Sequence, residues 1–254
     1  VYSLHIKTPA EAHGVDLLFV CTKYTQLRDS LPDIETITDK HTMVVSLLNG
    51  VDSEELIGQR IGMEHMIYSL IRIASHRIGN SIHFSLPKGY NGIYIGIPNQ
   101  PACQDPRLAA IAEIFADTPV TLHLSDDILL DMWDKFGLNV SRNLPQAILG
   151  VGIGVYDDSI YTDAIMRRMR HEVVLVANAK GIPLTDEFKA AKWLPSQRYS
   201  TLQDLDAHRH TEIDMFSGAL IRMGKEVGVE CPYNEMTYNL IKALEEKNDG
   251  KFDY

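Results

Sequence analysis

VDLLFVCTKYTQLRDSLPDIETITDKHTMVVSLL, residues 15–48, decides the fold. Two short apolar runs, VDLLFV and MVVSLL, flank the helix-like stretch TQLRDSL. Strands buried on both faces read as continuous apolar runs, so this order predicts a parallel pair joined by a right-handed crossover helix. HMIYSLI, SIHFSL and NGIYIGI are further strand-like segments and SEELIGQRI a further helix-like one, and the chain up to about residue 118 reads as α/β with a mixed edge. Beyond Leu124 the texture changes to SDDILLDMWDKFGLNVSRN, TDAIMRRMRHEVVLVANAKG, RHTEIDMFSGALIRMGKEVG and NEMTYNLIKALEEK, whose apolar residues recur at three and four. Several of these end at Gly, and Ser125, Asp126 and Asp127 supply an N-cap and an acidic first turn. This half reads as all-α, with the junction in the turn around DTPVTLHLSDD and expected domains 1–118 and 119–254.

The 254 residues are 45% apolar and 23% charged, ordinary for a globular protein and enough for one large or two modest cores. A formal net charge of -10, from 24 basic against 34 acidic residues, argues against a nucleic-acid partner, which needs a basic surface. Cys21, Cys103 and Cys231 lie far apart and never in C-x-x-C, so neither a disulfide framework nor a thiolate zinc site is expected, and a reducing cytoplasm fits. No apolar run is long enough to cross a bilayer, and no leader-like segment opens the chain, so no membrane association is expected.

Three clusters carry the chemistry. Lys135, Asn139 and Asn143 recur every four residues in KFGLNVSRN, which puts an ammonium and two carboxamides on one face of a helix. Such a row grips an oxygen-rich small molecule and protonates it, since Lys is a permanent donor near neutral pH and Asn both donates and accepts. A solvated stripe is the alternative, but Leu130, Trp133, Phe136, Leu138 and Val140 leave little of the circumference for a wet face. The second cluster is SQRYSTLQDLDAHRHTEID, where Ser200 lies in a polar approach and Glu212 reads as early in a helix, either orienting a substrate hydroxyl or joining Thr211 at the cap. His208 and His210 are two apart and diverge on a helix, so no metal is expected. Thr22, Lys23 and Gln26 follow the most convincing strand, and Asn49 and Gly50 follow the next. Open α/β sheets bind ligands beyond the carboxyl ends of their strands, although Asn-Gly is also a turn dipeptide. Gly150, Gly152 and Gly154 in LGVGIGVY imitate a phosphate loop but follow a helix, so a flexible connection is expected there.

In order and spacing these segments resemble the ketopantoate reductase (2-dehydropantoate 2-reductase) family. CTKYTQ is similar to its T-K-x-x-Q loop and LLNGVDSEE to its Q-N-G-x-x-x-x-E segment. RIGNSIHF is similar to its G-x-V hairpin and KFGLNVSRN to its K-x-x-x-N-x-x-x-N helix, while STLQD and RHTEID resemble S-M-x-Q-D and T-E-I-D. The resemblance implies a Rossmann-type NADP-binding domain, an all-α domain like the 6-phosphogluconate dehydrogenase C-terminal domain, and reduction of a 2-oxo acid by NADPH in the cleft between them. It implies Lys135 as general acid and Asn139, Asn143, Ser200 and Gln197 as substrate-binding. Lys23, Gln26 and Asn49 are then cofactor-binding, and Glu212 organises both substrate and nicotinamide ribose.

The departures from the family pattern are specific. No G-x-G-x-x-G turn precedes VDLLFV, and the sequence opens on Val1, so it is expected to belong to a longer product and, by itself, to bind NADPH weakly. Leu48 stands where the family carries Gln, Gln197 where an Asn is common, and GVGIGVY lacks a further substrate-side Asn. Two readings stay open: a 2-oxo-acid reductase acting on a substrate such as ketopantoate, and a non-catalytic homologue serving as a dimer-forming or small-acid-binding module. Whether the chain forms a homodimer stays open with them.

Overall fold

The computed structural model describes residues 5–73, 75–78, 81–84, 89, 91–188, 194–252 and 254, which form two compact units, Val1–Met132 and Trp133–Tyr254. In the first, strands β1 (Leu17–Val20), β2 (Met43–Ser46) and β3 (Met66–Arg72) run parallel, and β6 (Gly92–Gly96) and β7 (Leu122–Leu124) complete a five-stranded sheet in the order β1-β2-β3-β6-β7. Strand β6 is antiparallel to β3, and β7 is parallel to β6. Helices α1 (Tyr24–Ile37) and α2 (Ser53–Ile61) make the crossovers. The pairing of Leu17 with Met43 and of Val20 with Ser46 aligns the two apolar runs of the opening segment along their length. Strands β4 (Ser75–Ile78) and β5 (Ser81–Phe84) form a separate antiparallel pair; Gly79 and Asn80 of the hairpin, and the end of SIHFSL, lie outside the described residues.

Helix α3 (Pro106–Phe115) starts where the Asp105 side chain accepts from the Arg107 N–H at 2.9 Å, with Pro106 at the first helical position, where a missing N–H costs nothing. Its Leu108 and Ile111 pack with Val45, Ile67, Ile93 and Ile95 in the core that supports the sheet. Strand β7 belongs to this unit yet lies past the turn near residue 118 where the sequence texture places the junction. Three residues, none fully buried, carry too little apolar signal to be read as a strand.

The second unit is helical: the end of α4 (Ile128–Leu138), a π-helical turn Asn139–Asn143, α5 (Leu144–Leu149), α6 (Val155–Asp158), α7 (Ile160–Ala179), α8 (Ser200–Asp206), α9 (Ser217–Val227) and α10 (Pro232–Asn248). Phe136, Val140, Leu144, Val173, Phe216, Leu220 and Ile241 are each no more than 1% exposed and make its interior. Glu172 of α7 crosses to the start of α10, accepting from the Tyr233 N–H at 2.8 Å and the Asn234 N–H at 3.0 Å. A carboxylate there satisfies orphan donors and favours the positive end of the helix dipole.

Candidate functional site

Lys135 lies in the last turn of α4, and the helix then widens into the π-turn that holds Asn139 and Asn143. Three features of the sequence make this turn. Pro145 has no N–H to give the Ser141 carbonyl, and the Ser141 hydroxyl bonds back to the Gly137 carbonyl at 2.7 Å. The Tyr156 hydroxyl enters the ladder, donating to the Arg142 carbonyl and accepting from the Gln146 N–H at 3.2 Å. Those two backbone groups would bond each other in an α-helix, so an inserted side chain, a proline and a back-bonded serine together force the wider turn. The carboxamides stay together in it: Asn143 Nδ2 lies 3.5 Å from Asn139 Oδ1, a long hydrogen bond. Asn143 is buried, while Lys135 and Asn139 are half-buried. Burial raises the Tyr156 pKa well above its ordinary value, so this hydroxyl keeps its proton and its role as donor.

Behind the row, Arg170 makes a buried ion pair with Asp134 at 3.1 Å and donates to the Asp134 and Thr185 carbonyls at 3.2 and 3.0 Å. Arg142 lies over the Phe188 ring at 4.5 Å and Arg170 over it at 5.4 Å.

The residues of the second cluster are tied to the same helix by Gln146, a fully buried side chain that the sequence reading passed over. Its Nε2 donates to the Gln197 carbonyl at 2.8 Å and its Oε1 accepts from the Tyr199 N–H at 2.9 Å. Ser200, exposed, is the first residue of α8, directly after this clamp. Helix α8 docks through Leu202 and Leu205 against Ala147 of α5. Its Asp204 accepts from Arg209 Nε at 2.8 Å, which links STLQD to RHTEID.

Glu212 is not early in a helix; it lies in the turns before α9, whose first residue is Ser217. Thr211 closes a local turn, its hydroxyl accepting from the Ile213 N–H at 3.2 Å, and the N-cap of α9 is Phe216. Both the N–H and the hydroxyl of Thr211 donate to Glu245 Oε1 at 2.7 Å, and Asp214 accepts from the Tyr238 hydroxyl at 2.7 Å. Thr211 and Asp214 thus anchor the segment to α10, holding half-buried Glu212 between them.

In the first unit, Lys23 is the N-cap residue of α1 and exposed Gln26 lies in its first turn. Asn49 is half-buried in the loop between β2 and α2, where Gly50 adopts φ +96, a conformation that favours glycine. Both loops leave the carboxyl ends of parallel strands, and the Tyr24 hydroxyl joins them by donating to Asp52 Oδ2 at 2.7 Å. Beneath the second loop lies a buried network: Ser69 donates to the Ser46 carbonyl, the Ser46 and Ser53 hydroxyls are 2.8 Å apart, and Ser53 donates to Glu54 Oε2 at 2.9 Å. Burial pushes the Glu54 pKa up to about 7 against hydrogen bonds that favour the charged form. Asp52 and Glu55 add acids at the start of α2 beside buried Glu54.

The glycines of LGVGIGVY serve packing. A Cβ at Gly152 would lie 2.3 Å from the Pro195 carbonyl oxygen and one at Gly154 2.7 Å from Pro195 Cβ, so the expected flexible connection is a close contact with the turn before Gln197. Among the described residues no group of three His, Cys, Asp or Glu is placed to hold a metal ion, and no helix is long and apolar enough to cross a membrane.

Comparison with known proteins follows the same division. The family model described as ketopantoate reductase PanE/ApbA matches residues 2–100, and the one for the C-terminal part of that family matches residues 127–245. A 2-dehydropantoate 2-reductase of Streptococcus pyogenes is 29% identical over 255 aligned residues, covering 95% of this chain and 80% of the relative. One of Caulobacter vibrioides is 27% identical, covering 93% and 80%. A crystal structure of a PanE/ApbA family ketopantoate reductase from Ralstonia eutropha JMP134 superposes with a TM-score of 0.80 at 25% identity, covering 95% of this chain and 80% of that one. A ternary structure of D-mandelate dehydrogenase with NADH and anilino(oxo)acetate gives 0.81 at 25% identity with the same coverage. Paired with a Rossmann-like sheet and a helical unit carrying the Lys-Asn-Asn row, these matches show that the chain belongs to the ketopantoate reductase family of oxidoreductases.

Proposed function

We propose that the protein reduces a 2-oxo acid with NADPH, with ketopantoate, which becomes pantoate on the way to pantothenate, as the first substrate to test. The observation that carries this reading is the row of Lys135, Asn139 and Asn143, kept together through a π-turn that the chain builds from Pro145, Ser141 and Tyr156. Widened turns of this kind are frequent at functional sites. A hydride delivered to C2 of a 2-oxo acid leaves negative charge on the carbonyl oxygen. The Lys135 ammonium stabilises that charge and supplies the proton that makes the hydroxyl. Asn139 and Asn143 hold the substrate oxygens, Ser200 and Gln197 approach from the α8 side, and the Glu212 carboxylate accepts from substrate or ribose hydroxyls. Fixing the reacting carbon in this way contributes several kcal/mol to such a reaction.

The nicotinamide cofactor supplies the hydride when bound. Lys23, Gln26 and Asn49 would hold its ribose and carboxamide side, in keeping with the sheet edge at which they lie. On this reading residues 1–118 are the core of the NADP-binding domain and 119–254 the substrate and catalytic domain. Cys21, Cys103 and Cys231 are unpaired thiols, which supports the cytoplasm as the compartment.

NADPH oxidation by the full-length product, followed with ketopantoate, branched 2-oxo acids and a phenyl-substituted 2-oxo acid, tests the reading. Turnover with one of the panel is expected, with NADPH preferred over NADH. The aryl compound is included because likeness to the D-mandelate dehydrogenase equals that to the Ralstonia eutropha reductase. Absence of turnover with every 2-oxo acid would favour a non-catalytic homologue.

A further inference from the structure

We propose that Gln146 is a positioning residue that holds Ser200 in register with Asn139 and Asn143, so that the two substrate-holding groups of the helical unit act as one. This inference rests on the 2-oxo-acid reading and extends it to a residue that touches neither substrate nor cofactor. Gln146 is fully buried, and both ends of its carboxamide are hydrogen-bonded. Its backbone N–H reaches the Tyr156 hydroxyl that shapes the π-turn. Its two side-chain ends reach across 51 and 53 residues of sequence to the Gln197 carbonyl and the Tyr199 N–H.

A carboxamide is required at this position. One end must donate to a carbonyl and the other accept from an N–H, and among side chains of this length Gln does both at every pH, whereas Glu does so only when protonated. Tyr199 is the residue before α8, so the clamp sets where the helix begins and thus where Ser200 stands. Three residues before Gln146 on the same rod is Asn143, whose carboxamide meets Asn139. A shift of the 197–199 segment therefore moves Ser200 relative to the asparagines without disturbing either group internally, and misplacement of about 1 Å at a reacting site costs on the order of a hundredfold.

The test is a double-mutant cycle of Gln146→Met, which keeps length and removes both bonds, with Ser200→Ala, read as kcat/KM for the 2-oxo acid and as Kd for NADPH. Gln146→Met is expected to lower kcat/KM by about 10- to 100-fold, to leave Kd for NADPH within about threefold, and to make Ser200→Ala cost almost nothing further. Independent, multiplicative losses from the two substitutions, or an unchanged kcat/KM in Gln146→Met, would overturn the proposal while leaving the reductase reading intact. A wild-type protein that turns over no 2-oxo acid overturns both. Should Gln146→Met fail to fold, Gln146→Glu carries the test. A neutral acid donates and accepts as the amide does, so its kcat/KM relative to wild type should recover as pH is lowered, and a pH-independent ratio counts against the clamp.

Discussion

The Arg170 guanidinium occupies the space that a side chain at Gly137 would need: a Cβ there would lie 2.1 Å from Nη1. Gly137 falls between Lys135 and Asn139, on the far side of the helix from the row they form, so Arg170 braces that row from behind. The bracing side chain is fully buried, and its ion pair with Asp134 fixes it there. Gly137→Ala would raise helix propensity by about 1 kcal/mol, but it drives Arg170 off Asp134. Breaking a buried pair costs about 3–5 kcal/mol. Urea denaturation is therefore expected to show a net loss of stability, and an Ala variant as stable as wild type would mean that Arg170 is not held in place.

Tyr156→Phe removes the hydroxyl that bridges the Arg142 carbonyl and the Gln146 N–H. Leaving buried polar groups without a partner costs about 1–3 kcal/mol. The alternative open to the helix is to close the direct bond and revert towards α geometry, which would rotate Asn139 relative to Asn143. Either way, stability by denaturation should fall, and KM for the 2-oxo acid should rise while NADPH binding holds. Equal stability of the two proteins would show that the hydroxyl does not sustain the turn.

Glu54 gives the stability of the first unit a definite pH dependence. Its folded pKa of about 7 lies above the ordinary 4.5, so between these values the unfolded chain has released a proton that the folded protein retains. Stability therefore falls as pH rises from about 4.5 to about 7 and then levels off, a difference on the order of 3 kcal/mol at about 1.4 kcal/mol per unit. Glu54→Gln, which resembles the neutral acid, should be close to neutral at pH 4.5 and more stable than wild type at pH 8. A stability difference that does not change with pH would place the titration elsewhere.

The legible and illegible parts of the molecule differ in how far their determinants lie apart in the chain. The β1-α1-β2 unit could be read because its two apolar runs and the helix between them are each local patterns. The Lys135, Asn139 and Asn143 row was visible as a four-residue period, but the π-turn that shapes it depends on Tyr156, which approaches from beyond the next helix. Glu212 looked helical because Thr211 and Glu212 form a local cap pattern. Thr211 is tied instead to Glu245, 34 residues away, and the helix starts later, at Ser217. Gln146 gave no signal at all, since a single amide inside NLPQAIL has no periodic partner and both its side-chain bonds are distant in sequence.

Lys135→Ala tests the central claim most directly. Turnover of the 2-oxo acid and the Kd of NADPH are to be measured on the same preparations of wild-type and variant full-length product. The ammonium acts on charge that develops only in the transition state, so its loss should lower kcat by about 10²–10³-fold, as loss of an oxyanion donor does. NADPH affinity should stay within about threefold, which corresponds to less than about 0.7 kcal/mol. A variant that retains kcat within about threefold of wild type, with NADPH still bound, would contradict the assignment of Lys135 as the proton donor.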